Sequence, residues 1–164
     1  PSFFPGLALA VDADLVVTAQ NVGSDATINV FDHAGESVTT GRTSSVRAGM
    51  ITDAGVVLVT AEGVVVTMSA SSGDTSDGAR LDIGTIESGS VTPAGDRLVV
   101  AGATGTALVG ADGEIIASYD AQRPAGGLPL IGSMCFATVT ADDSAEPRFA
   151  VVDTTNLSTI INMK

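Results

Sequence analysis

Short apolar runs, each closed by Gly, Asp, Ser, Asn or Pro, follow one another along the whole chain. Segments 14–19 (DLVVTA), 56–61 (VVLVTA), 97–102 (RLVVAG) and 136–141 (FATVTA) are rich in Val and Thr. Branching at Cβ restricts χ1 in a helix and packs well on a pleated surface, so these runs predict strands. No stretch carries the i, i+3, i+4 spacing of an amphipathic helix. In DLVVTAQ and GVVLVTAEG both side-chain faces are largely apolar, which predicts strands covered on both sides rather than a sheet with one wet face.

The runs also repeat. The fifth residues of the four segments, Thr18, Thr60, Ala101 and Thr140, are separated by 42, 41 and 39 positions. A second series, 27–32, 63–68, 106–111 and 148–153, ends in turns at Gly35, Gly73, Gly113 and Asn156, separated by 38, 40 and 43. Two landmark series with one period near 40 point to a solenoid or a propeller. Gly and Asn at the turn site fit a tight hairpin that needs positive φ. Units of about 6–45, 46–87, 88–127 and 128–164 follow, with four strands expected in each. They are 6–11, 14–19, 27–32 and 35–41; 47–52, 56–61, 63–68 and 78–83; 88–93, 97–102, 106–111 and 114–120; and 128–134, 136–141, 148–153 and 157–163. Ala13, Ala54 and Ala94 mark the turn between the first two strands of the first three units.

The strings VFDHAGESV (Val30 to Val38) and LVGADGEIIASY (Leu108 to Tyr119) resemble quinoprotein-like and related β-propeller repeats, without the docking Trp of that family. The resemblance implies four-stranded blades arranged radially, with loops forming two faces. The expected fold is all-β and propeller-like, one domain of four blades of about 40 residues, either closed or part of a larger ring. Unpaired strand edges invite association, so an arc short of closure calls for additional blades or another chain.

Composition narrows the chemistry. Hydrophobic residues make up 45% but aromatics only 4%, so the core must be built in thin aliphatic layers. A formal charge of -12 repels phosphate backbones and anionic lipid, which argues against nucleic acid and membrane-surface partners. No apolar run reaches the roughly 20 residues that span a bilayer. The single Cys135 lies in an apolar setting that predicts a buried structural thiol without an intrachain disulfide. Pro1 stands where an initiator Met would, which points to a processed protein or a segment of a longer one. An extracytoplasmic or secreted location is favoured, with a cytoplasmic one open.

Candidate chemistry is sparse. His33 is the only histidine and reads as an exposed turn residue. No His pair, Cys and His set or calcium loop occurs, so no metal and no cofactor is expected. Asp12, Asp14, Asp53, Asp96 and Asp112 recur near strand ends, where Asp commonly satisfies turn backbone groups. The most variable connections are 20–26, 62–63, 103–105 and 142–147. Variable loops on a repeated scaffold are the usual seat of recognition, so Gln20, Asn21, Glu62, Asp142 and Asp143 are the candidate binding residues. The function read from these features is a non-catalytic protein-recognition or assembly module with a protein partner, further blades or an oligomer. The alternative is a propeller hydrolase or lyase that cleaves glycans through axial carboxylates.

Overall fold

A computed structural model of the chain describes residues 6–92, 94–120, 122–123, 130–131, 134–139, 148–153 and 159–163. Within that range the architecture is all-β, with four antiparallel sheets arranged in a propeller-like series. The first sheet holds β1 (Leu7–Val11), β2 (Leu15–Val22), β3 (Asp25–Asp32) and β4 (Ser37–Ser44), in that spatial order. The second holds β5 (Val46–Thr52), β6 (Gly55–Thr60), β7 (Val64–Ser69) and β8 (Thr75–Arg80). The third holds β9 (Ile86–Val91), β10 (Arg97–Gly102), β11 (Gly105–Gly110) and β12 (Ile115–Asp120). The fourth is built from β13 (Gln122–Arg123), β14 (Leu130–Ile131), β15 (Met134–Val139), β16 (Arg148–Asp153) and β17 (Thr159–Met163), with β14 paired to β15 off the main order.

The four landmark segments fall on β2, β6, β10 and β15, the second strand of each sheet. Their residue-by-residue alignment is different from the one the letters suggest. The pairs Val11↔Val16, Ile51↔Val56 and Val91↔Leu98 flank the first turn of each sheet. Counting from them, Thr18 corresponds to Leu58 and Val100, not to Thr60 and Ala101. The turn before β10 is longer and β2 runs on past its Thr-Ala pair, so equivalent positions carry different letters.

Three other segments depart from expectation for physical reasons. Residues 20–26 are not a loop: β2 and β3 stay paired out to Val22↔Asp25, and Gly23 at φ 63° closes a two-residue turn with Ser24. The strand expected over 78–83 lies at Thr75–Arg80, because Leu81 and Ile83 leave the sheet and are buried in the seam beyond it. In the fourth unit, Gln122 and Arg123 take the place beside β15 expected for 128–134, and Leu130 and Ile131 pair with Cys135 and Met134 instead. Cys135 lies on β15 opposite Val152, while its side chain, like Asn156 and Thr140, is outside the described residues.

The first three sheets pack face to face in sequence. Val17, Ile28 and Val30 of the first meet Val56, Leu58 and Met68 of the second in one core. Met50, Val57 and Val59 of the second meet Leu98, Val100 and Val109 of the third in another. All six residues of β6 are buried, which explains the absence of a polar face in its sequence. The seams narrow toward the inner strands, where β1 approaches β5 and β5 approaches β9. There Gly89 leaves room for Ala48: a Cβ on Gly89 would stand 2.5 Å from the Cβ of Ala48. Toward the outer strands of the preceding seam, between first and second sheets, the filler is larger, with Met68 lying over Gly41. Among the described residues, no strands of the first and fourth sheets approach each other as β1 and β5 do.

The turn glycines adopt the backbone expected of them. Gly35, Gly73 and Gly113 have φ of 87°, 75° and 82°. Gly35 N donates to Asp32 O and Gly113 N to Gly110 O, both at 3.0 Å, closing equivalent turns between the third and fourth strands. A Cβ at Gly113 would also press within 3.1 Å of Thr67 Cγ2. Replacing Gly113 with Val should therefore destabilise the fold by about 1 to 3 kcal/mol, the cost of holding a β-branched residue at positive φ. A denaturant titration against a Val substitution at exposed Ser118 within strand β12 checks it; equal losses at both positions would refute the turn argument.

Candidate functional site

The antiparallel order puts the turns between second and third strands at one end of the sheets, and those between first and second or third and fourth strands at the other. The first end carries Gln20, Asn21 and Glu62; Asp142 and Asp143 lie outside the described residues.

Gln20 and Asn21 are neighbours on β2, so their side chains leave opposite faces of the sheet. Asn21 is committed to the seam. Its Nδ2 donates to Val46 O at 3.0 Å and its Oδ1 accepts from Val46 N at 2.9 Å, which ties the first sheet to the start of the second. At the next seam the backbone does this work, with Ile86 N donating to Ala61 O at 3.0 Å. The longer β2–β3 hairpin carries its own turn away from the junction, and the Asn21 amide stands in for the missing peptide. Backbone bonds complete both junctions: Ser45 N donates to Ser24 O, Ala61 N to Ser45 O and Ala103 N to Thr85 O.

Gln20 instead faces outward. With Val22, Asp25, Thr27, Arg42 and Ser44 it lines an open depression of about 390 Å³ on the outer face of the first sheet. Sequence reading singled out only Gln20 of this group. The pairings Gln20↔Thr27, Thr27↔Arg42 and Val22↔Asp25 that assemble the rest depend on the hairpin being paired to its tip. Glu62 is exposed on the tight β6–β7 turn, whose Gly63 has φ 85°. The structure thus leaves Gln20 and Glu62 free at this end and takes Asn21 into the scaffold.

At the opposite end four carboxylates serve the turns, while Asp14 and Asp53 are exposed without a side-chain hydrogen bond among the described residues. Asp12 Oδ1 accepts from the backbone of Asp14 and Leu15 at 2.8 and 2.7 Å. Asp32 Oδ1 accepts from Glu36 N at 2.8 Å, and Asp112 Oδ1 from Glu114 N at 3.0 Å. Asp96 takes the Thr92 hydroxyl at 2.9 Å and lies 3.5 Å from Arg97 Nε. Exposed His33 donates through Nε2 to the carbonyl of Asp12 at 3.0 Å, linking two turns of the first sheet. A shallow groove of about 410 Å³ also opens there, between the β5–β6 turn, the β7–β8 edge and Ala111–Asp112 of the third sheet, with walls of Val, Met and hydroxyl side chains. Among the described residues, no three His, Cys, Asp or Glu side chains gather closely enough to hold a metal ion, and no helix is long and apolar enough to cross a membrane.

Neither a protein-family model nor a curated protein sequence matches the chain. Solved structures do match in shape. BamB from Moraxella catarrhalis aligns with a TM-score of 0.66 at 14% identity, over 96% of this chain and 51% of that one. A protein of unknown function from Bacteroides caccae aligns at 0.60 and 14% identity, over 96% and 66%. Hydrazine synthase of Kuenenia stuttgartiensis aligns at 0.57 and 14% identity, over 94% and 47%. The likeness establishes the propeller-like fold, and the chain spans between about half and two thirds of the length of these structures.

The two neighbouring positions on β2 should respond differently to truncation. Asn21→Ala strands the N–H and C=O of Val46 at a partly buried junction and should cost about 1 to 2 kcal/mol. Gln20→Ala, on the exposed face, should stay within about 0.5 kcal/mol of the parent. Thermal or denaturant unfolding of both variants checks the difference, and equal small effects would show that the Asn21 bridge does not support the seam.

Proposed function

We propose that the chain is a non-catalytic recognition or assembly module that binds a protein partner through the end of the sheets carrying the β2–β3 and β6–β7 turns. The observation behind this reading is a division of labour between the two ends. Four turn carboxylates at one end, those of Asp12, Asp32, Asp96 and Asp112, are engaged in local hydrogen bonds to backbone and neighbouring side chains. At the other, hairpins of unequal length rise from the same scaffold: β2 and β3 have eight residues each, β6 and β7 six. A repeated frame that differs between units mainly in its projections displays different side chains in a fixed geometry, which is what recognition needs. Gln20, Glu62, Asp142 and Asp143 are the residues proposed to meet the partner, three of them acidic, so the surface suits a partner with basic groups. An extracytoplasmic location belongs to the same proposal.

The test is capture of a saturable partner by the 164-residue chain, followed by affinity measurement with Gln20, Glu62, Asp142 and Asp143 together replaced by Ala. Affinity should fall at least about tenfold while the unfolding midpoint stays unchanged, and it should weaken as salt rises, as screened charge pairs do. Unchanged affinity in the folded variant would remove this surface from consideration.

A further inference from the structure

The sequence contains two Asp-Gly steps, Asp77–Gly78 and Asp112–Gly113, and no Asn-Gly step. At such a step a chain can react with itself. The amide nitrogen of the glycine, with no Cβ beside it to hinder approach, attacks Cγ of the preceding aspartic acid. The new N–Cγ bond closes a five-membered succinimide, and the amide proton leaves with the carboxyl hydroxyl as water. Water then reopens the ring at either carbonyl. Cleavage of the N–Cγ bond restores aspartate, whereas cleavage at the former main-chain carbonyl leaves isoaspartate, whose chain runs through the side chain and is one methylene longer.

The letters give both steps equal standing, but the fold separates them. At Asp112–Gly113 both reacting groups are held: Asp112 Oδ1 accepts from Glu114 N at 3.0 Å, and Gly113 N donates to Gly110 O at 3.0 Å. Ring closure requires the peptide between the two residues to turn its face toward the carboxyl, which would break both bonds.

Asp77–Gly78 lies on β8, the outermost strand of the second sheet, bonded to a neighbouring strand on one side only. All six residues of β8 are exposed, so no buried side chain anchors it. The ladder is interrupted at this step. Asp77 pairs with Val66 and Arg80 with Val64, which leaves Gly78 and Ala79 together opposite Val65, a bulge in which one residue goes unpaired. The Asp77 carboxylate has no hydrogen bond or ion pair among the described residues. A Cβ on Gly78 would meet only Val65 O, at 3.2 Å, so the side of the step away from β7 is open. The bond from Thr75 Oγ1 to Arg42 O, at 3.0 Å, ties down the beginning of β8 and not this step.

We infer that Asp77–Gly78 is a site of spontaneous succinimide formation and isoaspartate in the folded chain, while Asp112–Gly113 is protected by its turn. Opening a bulged, one-sided edge costs less than opening a hydrogen-bonded turn, so the peptide rotation that the ring needs is available at the first step and withheld at the second. The added methylene is tolerated for the same reason: β8 contributes no side chain to either core. This inference concerns β8 alone and stands independently of the recognition surface at the strand ends.

The test is to hold the purified 164-residue chain at neutral pH, well below its unfolding midpoint, beside a second sample unfolded in guanidinium. Circular dichroism at the start and end verifies the folded state of the first. Peptide mapping by mass spectrometry quantifies the succinimide, lighter by one water, and the isoaspartyl peptides, which elute apart from their aspartyl counterparts. The unfolded chain should react at comparable rates at both steps. In the folded chain the rate at Asp77 should exceed that at Asp112 at least about tenfold, because only the second step must first break two hydrogen bonds. Gly78→Ala should slow the reaction at Asp77 and leave Asp112 as it was. Asp77→Asn and, separately, Asp112→Asn replace water by ammonia as the leaving group and supply a faster clock with the same expected order. Equal folded-state rates at the two steps, a faster folded-state reaction at Asp112, or no product at Asp77 of the folded chain over a time in which the unfolded chain reacts would each overturn the inference.

Discussion

Each sheet of this chain depends on having another sheet against its face. Alternation of side chains along a strand normally lets a sheet turn one side to water, yet β6 buries every residue it has. Its apolar surface is divided between two seams, and neither half would hold the strand in a folded state alone. The same demand passes to β10 and β11, whose Val99 and Leu108 face away from the second sheet and are nonetheless fully buried. Cohesion is therefore transmitted from sheet to sheet, while the hydrogen bonds within each sheet fix only its internal register.

Polar groups act where that cohesion is interrupted. Between the strand ends the backbone itself bridges the seams, and where the first hairpin is too long for this, Asn21 supplies an amide of the same shape and polarity as a peptide. Turn carboxylates solve the corresponding problem within each sheet by accepting from backbone N–H groups that have no ladder partner. Acidic character is thus partly a by-product of how the turns are closed. That leaves fewer carboxylates at liberty for chemistry than the composition suggests.

The repeat was legible because Gly35, Gly73 and Gly113 are constrained by backbone geometry, and such positions keep their letters when packing positions drift. Strand identity was legible for a similar reason: both faces of β2 and β6 are apolar, which no helix or half-wet sheet would produce. Register within those strands was not, since Thr18 and Leu58 occupy one structural position with different letters. The stretch 20–26 read as a loop because Gln, Asn, Gly, Ser and Asp are individually turn formers, whereas a single Gly at positive φ sufficed and the rest extended the ladder. Asn21 looked like a recognition residue from its exposure on paper. Its bond to Val46, 25 residues away, has no local signature. Leu81 and Ile83 were read as strand because alternation alone cannot distinguish a strand from a connection that dips twice into a core.

The pairing of Ala48 with Gly89 near the inner strands of the seam between second and third sheets, and of Met68 with Gly41 near the outer strands of the seam before it, has a consequence for curvature. A small filler at the inner side of a seam, or a long one at its outer side, helps fix the angle between two sheets much as a keystone fixes the angle between two courses of an arch. That angle is set separately at each seam, but its errors accumulate along the series. A methyl group added on the narrow side would tilt every sheet beyond it, so substitutions there are felt most strongly at the far end of the arc, in residues they never touch.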